Sequence, residues 1–87
     1  MFYVYVLQSQ TKIDELYTGY TKDLKNRLVK HNKGDITHTS KYRPWTVLVY
    51  VAFKSQTLAL NFEKYLKSGS GRAFLKKRLI TLHGEVA

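Results

Sequence analysis

The alternation of apolar and polar segments predicts two strands at the start of the chain. Residues 2–8 are β-branched or aromatic at nearly every position, which is typical of a buried strand. The polar residues 9–15 form a turn-like stretch, and residues 16–21 are a second short strand, so we expect a β-hairpin. Gly19 within the second strand indicates a bulge or a close approach of another group to the backbone.

The next segment has the periodicity of a helix. The spacing i, i+4, i+7 is met by Leu24, Leu28 and His31. Thr21 is the expected N-cap, with Asp23 in the first turn, where the helix dipole favours an anion. The helix is expected to end at Gly34. Residues 35–44 are polar and basic, and we expect a loop there.

Residues 45–53 are apolar at nearly every position, which predicts a strand at the centre of the sheet. Ser55 is the expected cap of a second helix that Gly69 closes. The apolar stripe of this helix comprises Leu58, Phe62, Tyr65 and Leu66. A third helix is predicted over residues 71–82, with an inward face formed by Phe74, Leu75, Leu79 and Leu82.

The resulting order, ββαβαα, predicts an α+β fold in which a small, mostly antiparallel three-stranded sheet is flanked by helices. A chain of 87 residues has room for one modest core, so we expect a single domain over residues 1–87. The composition, 44% hydrophobic and 14% aromatic, is too apolar for a disordered tail.

The balance of charged residues indicates the kind of partner that the protein binds. The chain has 15 Lys and Arg against 6 Asp and Glu, a net charge of +9, which favours nucleic acid as a partner over an acidic membrane surface. The absence of cysteine excludes disulfides, thiolate zinc sites and a cysteine nucleophile. Neither a signal peptide nor a membrane span of roughly 20 apolar residues is visible, so we expect a soluble, cytoplasmic protein.

Several residues could carry chemistry, and each also has a plainer structural interpretation. Glu63 is the only carboxylate between Asp35 and Glu85; it could hold a hard divalent cation or simply form a surface ion pair. Arg27 and His31, one helical turn apart, could clamp and protonate a phosphodiester. Alternatively, Arg27 pairs with Asp23, and His31 lies at the edge of the core.

Tyrosine is unusually frequent, with seven residues in the chain. These side chains could be core aromatics with hydroxyls at the surface, a platform on which bases stack, or the source of a proton-accepting phenol. The last role needs adjacent cations or a base partner, because a free phenol with a pKa near 10 is a poor base.

The order of these residues resembles that of the GIY-YIG nuclease family. The first tripeptide is Tyr3-Val4-Tyr5 and the second is Tyr17-Thr18-Gly19, followed by Arg27 in the next helix and Glu63 in the helix after the third strand. The resemblance covers residues 2–78 and is greatest to the small stand-alone bacterial members, which are related to the nuclease domain of an excision-repair protein. It implies a Mg²⁺- or Mn²⁺-dependent endonuclease acting on double-stranded or branched DNA, with a role in repair or processing.

The resemblance also implies a role for each matching residue. Tyr17 is the general base or positions the attacking water, and Tyr5 helps to orient that water. Arg27 stabilises charge on the phosphoryl group, Glu63 is the sole protein ligand of the metal, and His31 relays a proton. The residues expected to contact nucleic acid are Gly19, Tyr20, Lys22, Lys30, Lys41, Arg43, Lys67, Ser70 and Arg72.

The chain departs from the family pattern at two places. Tyr20 stands where the excision-repair relatives carry a lysine, and Ser70 and Arg72 lie where several relatives place an asparagine. These departures favour an alternative, a basic nucleic-acid-binding module that cuts slowly or not at all. A structural protein held by ribosomal RNA or a membrane surface would explain the charge but not the order of the motif residues. The sequence leaves the oligomeric state open, with a monomer as one alternative.

Overall fold

A computed structural model describes residues 1–80 and contains a three-stranded antiparallel sheet with three helices, in the predicted order ββαβαα. The strands are β1 (Phe2–Ser9), β2 (Leu16–Thr21) and β3 (Trp45–Phe53). The helices are α1 (Leu24–Lys33), α2 (Gln56–Leu66) and α3 (Gly69–Phe74), and α3 continues into a π-helical turn, Leu75–Leu79. A 3-10 turn, Ser40–Tyr42, precedes β3. The predicted α+β class is confirmed.

The strand order is β2-β1-β3, so the central strand is β1. The predicted β1–β2 hairpin is confirmed, but the prediction that β3 is central was wrong. β3 is continuously apolar for another reason, because both of its faces are partly covered. Val47 packs on the side of α1, and Val49 and Phe53 pack on the side of α2.

The side chains of β1 alternate between two hydrophobic clusters. Val4 and Val6 face α2 and α3, where the other buried members are Ala59, Leu66 and Leu75. Tyr5 and Leu7 face the opposite way and pack with Trp45, Tyr17, Leu24, Leu28, Tyr42 and Val47. This period-2 alternation places helices on both faces of the sheet. Within residues 1–80, no helix is long and apolar enough to cross a bilayer.

The ends of α1 are held by side chains and by a glycine. Its N-cap is Asp23, which accepts a hydrogen bond from the Asn26 N–H, and not Thr21 as predicted. Thr21 belongs to β2 and accepts the Asp23 N–H at 3.1 Å, so it stabilises the turn before the cap. Gly34 ends the helix as predicted, with a φ of 83° that a side chain would disfavour.

The α2–α3 connection lies earlier in the chain than predicted. Ser55 caps α2 as expected, but the helix ends at Leu66, and Gly69 is the first residue of α3 under a Ser68 cap. The prediction that Gly69 closes α2 was therefore wrong. The predicted third helix starts two residues earlier than expected, and Leu82 lies outside the described residues.

The inward face of α2 also differs from the prediction. Leu58 and Tyr65 are 58% and 41% exposed, whereas Ala59 is fully buried beside Leu66. The small Ala59 packs with Val4 and Val6 of the sheet, whereas Leu58 lies outside this cluster.

Gly71 is the closest contact between α2 and α3. A Cβ atom at this position would collide with the backbone carbonyl of Tyr65, whereas a Cβ at Gly69 would have no neighbour within 4 Å. The Gly71 N–H donates to Ser68 Oγ at 3.1 Å, so this amide is already used within the protein.

We expect Gly71→Ala to lower the free energy of unfolding by about 1–3 kcal/mol, because the two helices must move apart. The matched control is Gly69→Ala in the same helix, which we expect to raise stability by about 0.4–1 kcal/mol. Urea unfolding followed by circular dichroism measures both. Equal effects of the two substitutions would contradict the packing described for Gly71.

Candidate active site

The strand register brings the motif residues together along the β2 side of the sheet. Tyr5 pairs with Gly19 across the β1–β2 ladder, so Tyr5 and Tyr17 share one face, with ring centroids 6.3 Å apart. The ring of His31 on α1 lies 5.0 Å from that of Tyr17 and 5.8 Å from that of Tyr5. Arg27 from α1 and Glu63 from α2 both act electrostatically on the Tyr5 phenol.

Gly19 makes the close approach of these rings sterically feasible. It is buried, and a Cβ atom there would collide with the hydroxyl of Tyr5 and touch the ring of Tyr17. The sequence indicated a close approach to this glycine, and the approaching group in the structure is the phenol of Tyr5. The absence of a side chain at Gly19 therefore leaves room for the Tyr5 hydroxyl and the Tyr17 ring.

A buried hydrogen-bonded chain runs behind the site. The Tyr5 hydroxyl lies 2.9 Å from His31 Nε2, and His31 Nδ1 lies 2.7 Å from Thr39 Oγ1. All three side chains are at most 2% exposed. Sequence reasoning missed Thr39, which sits in a polar loop where no periodicity or motif distinguishes it from its neighbours.

Burial determines the protonation states of Tyr5 and His31 in this series of hydrogen bonds. It raises the pKa of the Tyr5 phenol well above its ordinary value; the nearby Tyr17 and Glu63 raise it further, and Arg27 opposes them. Burial also lowers the pKa of His31, and the Arg27 charge lowers it further. At neutral pH the Tyr5 phenol and the His31 imidazole are both uncharged.

Tyr17 differs from Tyr5 in its access to solvent. No hydrogen-bond partner for its hydroxyl lies within residues 1–80, and none of the buried polar side-chain atoms there lacks a partner. The Tyr17 hydroxyl is consequently accessible to solvent. Tyr17 lines a cleft of about 470 Å³ at the start of β2, together with the basic Lys67, Arg72 and Lys76 and the acidic Asp14 and Glu15.

Arg27 lies in a second cleft, of about 360 Å³, at the other end of β2. Its alternative partner, Asp23, instead accepts the Asn26 N–H at 3.1 Å. Within residues 1–80 the ion pairs are Lys12–Glu15 and Lys67–Glu63, so the Arg27 guanidinium has no carboxylate partner there. The other basic side chains of this cleft are Lys22 and Lys30.

Glu63 is the carboxylate that acts electrostatically on the Tyr5 phenol. Its Oε2 accepts a hydrogen bond from Lys67 Nζ at 3.1 Å, and its side chain is 20% exposed. No group of three or more His, Cys, Asp or Glu that could hold a metal occurs in the described part of the chain. The donor set therefore fits only a cation such as Mg²⁺, which takes one carboxylate and keeps waters or phosphate oxygens as its other ligands.

The residues expected to contact nucleic acid fall into three groups. Lys67 and Arg72 line the first cleft, and Ser70 is exposed on α3 beside them. Tyr20, Lys22 and Lys30 line the second cleft. Lys41 and Arg43 lie outside both clefts, with Lys41 Nζ 5.5 Å from the centre of the Tyr42 ring and Arg43 donating to the Lys33 carbonyl at 2.8 Å.

The Tyr20 side chain is held by two contacts that the sequence could not indicate. Its ring stacks against Phe2 at 6.5 Å, and its hydroxyl accepts a hydrogen bond from Gln56 Nε2 at 3.1 Å. This contact ties the end of β2 to the start of α2. Because residue 20 is a tyrosine, the amines of the second cleft are those of Lys22 and Lys30.

Comparison with known proteins matches the same residues. A family model described as the GIY-YIG catalytic domain covers residues 1–78. The chain belongs to the GIY-YIG family. The chain is 42% identical over 72 residues to UPF0213 proteins of Streptococcus pyogenes serotypes M5, M2 and M28; the match spans 82% of this chain and 76% of each relative.

Membership in the GIY-YIG family confirms the resemblance that the two tripeptides indicated. The match runs from β1 through most of the π-helical turn after α3, so it includes Tyr5, Tyr17, Arg27, His31 and Glu63. The family description implies a catalytic domain. The roles of the individual residues remain predictions.

The lowered pKa of His31 predicts a loss of stability on acidification. The unfolded chain protonates this imidazole below its ordinary pKa of about 6.5, whereas the folded protein resists until lower pH. The stability contributed by neutral His31 is thus present above pH 6.5 and lost as the pH falls through the folded pKa. We expect urea midpoints to fall between about pH 7 and about pH 5. The fall should be smaller in His31→Gln; an equal fall would contradict the assignment.

Proposed function

We propose that this protein is a metal-dependent DNA endonuclease that hydrolyses phosphodiester bonds. The observation that carries the proposal is the gathering of three functional groups from three elements along the β2 side of the sheet. The Tyr17 hydroxyl and the Arg27 guanidinium have no hydrogen-bonding or ionic partner within residues 1–80, and Glu63 is held only by a lysine. Membership in the GIY-YIG family supports the reaction class.

Of the two tyrosines, Tyr17 is the one suited to handle the attacking water. Its hydroxyl is free to accept a hydrogen bond, whereas the Tyr5 hydroxyl is buried against His31 at 2.9 Å. His31 has both nitrogens engaged, by Tyr5 and Thr39, and meets Tyr17 only through ring contact. A direct proton relay from Tyr17 to His31 is therefore not formed in this arrangement, and Tyr5 and His31 act as a support for the Tyr17 ring.

Arg27 and Glu63 complete the proposed chemistry. The unpaired guanidinium of Arg27 is placed to donate to phosphate oxygens and to stabilise the charge that develops on them. Glu63 would hold Mg²⁺ or Mn²⁺, which would act as a Lewis acid on the phosphate and the leaving oxygen. In the balanced reaction, water adds to phosphorus, the P–O3′ bond breaks, and a proton from water ends on the 3′ oxygen. The products are a 5′-phosphate and a 3′-hydroxyl.

The basic clefts at the two ends of β2 favour DNA as the substrate. In one cleft Lys67, Arg72 and Lys76 outnumber Asp14 and Glu15, and in the other Arg27, Lys22 and Lys30 outnumber Asp23. A phosphate backbone that crosses β2 would meet amines or guanidinium groups on both sides of Tyr17. This placement suits double-stranded or branched DNA, and we propose that the protein acts on it in the cytoplasm.

We expect Tyr17→Phe to reduce the rate of cleavage by about 10²–10⁴-fold, because the hydroxyl that handles the water is lost. We expect Glu63→Gln to reduce it by at least about 100-fold, because the cation loses its only charged protein ligand. The measurement is nicking of supercoiled plasmid and of labelled branched DNA in Mg²⁺, Mn²⁺ or EDTA.

Two conservative changes outside the clefts serve as matched controls. Tyr50→Phe removes a phenol hydroxyl from an exposed residue of edge strand β3, and Asp35→Asn removes an exposed carboxylate. Both should cleave like the unmodified protein. Cleavage that survives in Tyr17→Phe and Glu63→Gln, or that needs no metal, would exclude the proposed mechanism.

The second candidate function is a nucleic-acid-binding module without significant cleavage. It is favoured by the Tyr20–Gln56 contact, which stands where the excision-repair relatives carry a lysine. A module of this kind would bind the same DNAs and leave all of them intact in either metal. Under that outcome Glu63→Gln should bind slightly more tightly, because it removes a negative charge from a basic surface.

The basic clefts can be tested by binding alone. We expect the double substitution Lys22→Ala, Lys30→Ala to reduce the slope of log affinity against log salt by about 2, since each lysine releases about one counterion. Fluorescence anisotropy with labelled duplex DNA at several salt concentrations measures this slope. The control is Lys12→Ala at the tip of the β1–β2 hairpin, outside both clefts. An unchanged slope in the double variant would place the DNA elsewhere.

A further inference from the structure

Thr39 is a buried polar residue to which the proposed chemistry assigns no role. It is 1% exposed and lies in the loop between α1 and β3. Its backbone is held on two sides, because its N–H donates to the Ile36 carbonyl at 3.1 Å and its carbonyl accepts from Trp45 Nε1 at 2.8 Å. Its hydroxyl is thereby fixed 2.7 Å from His31 Nδ1.

The hydrogen atoms of this buried chain can be assigned by counting donors and acceptors. The last acceptor is the Ile36 carbonyl, 3.3 Å from Thr39 Oγ1, and a carbonyl can only accept. If the Thr39 hydroxyl donates to it, Oγ1 is left to accept a hydrogen bond from His31 Nδ1–H. His31 Nε2 then carries the lone pair and accepts the Tyr5 hydroxyl at 2.9 Å. Each of the three hydrogens has an acceptor.

The opposite tautomer leaves a hydrogen unused. With the proton on Nε2, His31 would donate to the Tyr5 oxygen, and Thr39 would donate to Nδ1. The Tyr5 hydroxyl, 2% exposed, would then have no acceptor among residues 1–80. A buried donor without an acceptor destabilises the folded state, so these hydrogen bonds favour the tautomer with the proton on His31 Nδ1.

We propose that Thr39 is a positioning residue that holds His31 in the Nδ1–H tautomer, so that Nε2 accepts the Tyr5 hydroxyl and the two rings are fixed beside Tyr17. The effect reaches Tyr17 through ring packing, since its ring centroid lies 5.0 Å from that of His31 and 6.3 Å from that of Tyr5. The tautomer follows from the hydrogen bonds alone, whereas its effect on cleavage rests on the proposed nuclease function.

The tautomer is measured directly by ¹⁵N NMR of the imidazole in the intact protein at neutral pH. We expect the Nδ1 shift of His31 in the protonated range and the Nε2 shift in the unprotonated range. Tyr5→Phe removes the donor to Nε2 and should keep this pattern, because Thr39 still accepts from Nδ1. Thr39→Val removes that acceptor with little change of shape and should lose the pattern, giving a mixture or the opposite tautomer.

Two further threonine variants separate positioning from simple stability. Thr39→Ser keeps the hydroxyl and should restore the Nδ1–H pattern. Thr37→Val changes an exposed threonine two residues away and should leave the pattern unaltered. If the protein cleaves DNA, Thr39→Val should lower kcat by roughly 10- to 100-fold without raising KM, and Thr39→Ser should recover most of the rate.

The results separate the two proposals. An Nε2–H tautomer in the unmodified protein, or an Nδ1–H tautomer that survives in folded Thr39→Val, would overturn the role of Thr39. If Thr39→Val does not fold, loss of the Nδ1–H pattern in Tyr5→Phe would overturn it, because Tyr5 would then set the tautomer. If no DNA is cut, the proposed nuclease function fails, while the tautomer pattern still decides whether Thr39 holds His31.

Discussion

The two-sided pairing of β1 is the constraint on which the rest of the structure depends. Because β1 lies between β2 and β3 and both faces of the sheet are packed, its alternate side chains are buried on opposite faces. Val4 and Val6 anchor α2 and α3, whereas Tyr5 and Leu7 anchor α1 and the loop before β3. A register slip of one residue would exchange these faces and remove Tyr5 from His31. Core packing and site geometry are therefore set by the same strand.

The central strand also divides the site into a buried part and an accessible part. Tyr5 on the central strand is buried, whereas Tyr17 on the edge strand β2 is only partly buried. Burial keeps Tyr5 and His31 uncharged, so the interior part can hold rings in place but carries no charge toward a phosphate. Charge is supplied by Arg27 and Glu63 at the rim, where water and a substrate can reach it.

Two side-chain contacts, Tyr20–Gln56 and Lys67–Glu63, limit which groups could hold a phosphate or a cation. The Tyr20 hydroxyl is used to join β2 to α2 through Gln56, so the second cleft depends on the amines of Lys22 and Lys30. Glu63 is neutralised by Lys67, and a cation bound at Glu63 would compete with this amine. If the protein acts as proposed, a DNA phosphate that engages Lys67 would ease that competition and so favour a cation at Glu63.

Several features could be predicted from the sequence, because each depends on local periodicity or residue chemistry. They are the element order, the Ser55 cap of α2, the end of α1 at Gly34 and the identity of the motif residues. The edge position of β3 could not be predicted, because apolar continuity is the same in a central strand and in an edge strand packed on both faces. The inward face of α2 could not be predicted either. Strand order, a non-local property, decided that Tyr5 is buried and Tyr17 accessible. It also decided that an unremarkable loop residue, Thr39, meets His31. The chemical groups of the protein can be read from its sequence. Which of them are shielded from water and which are open to solvent depends on tertiary packing, because burial is set by contacts between residues far apart in the chain.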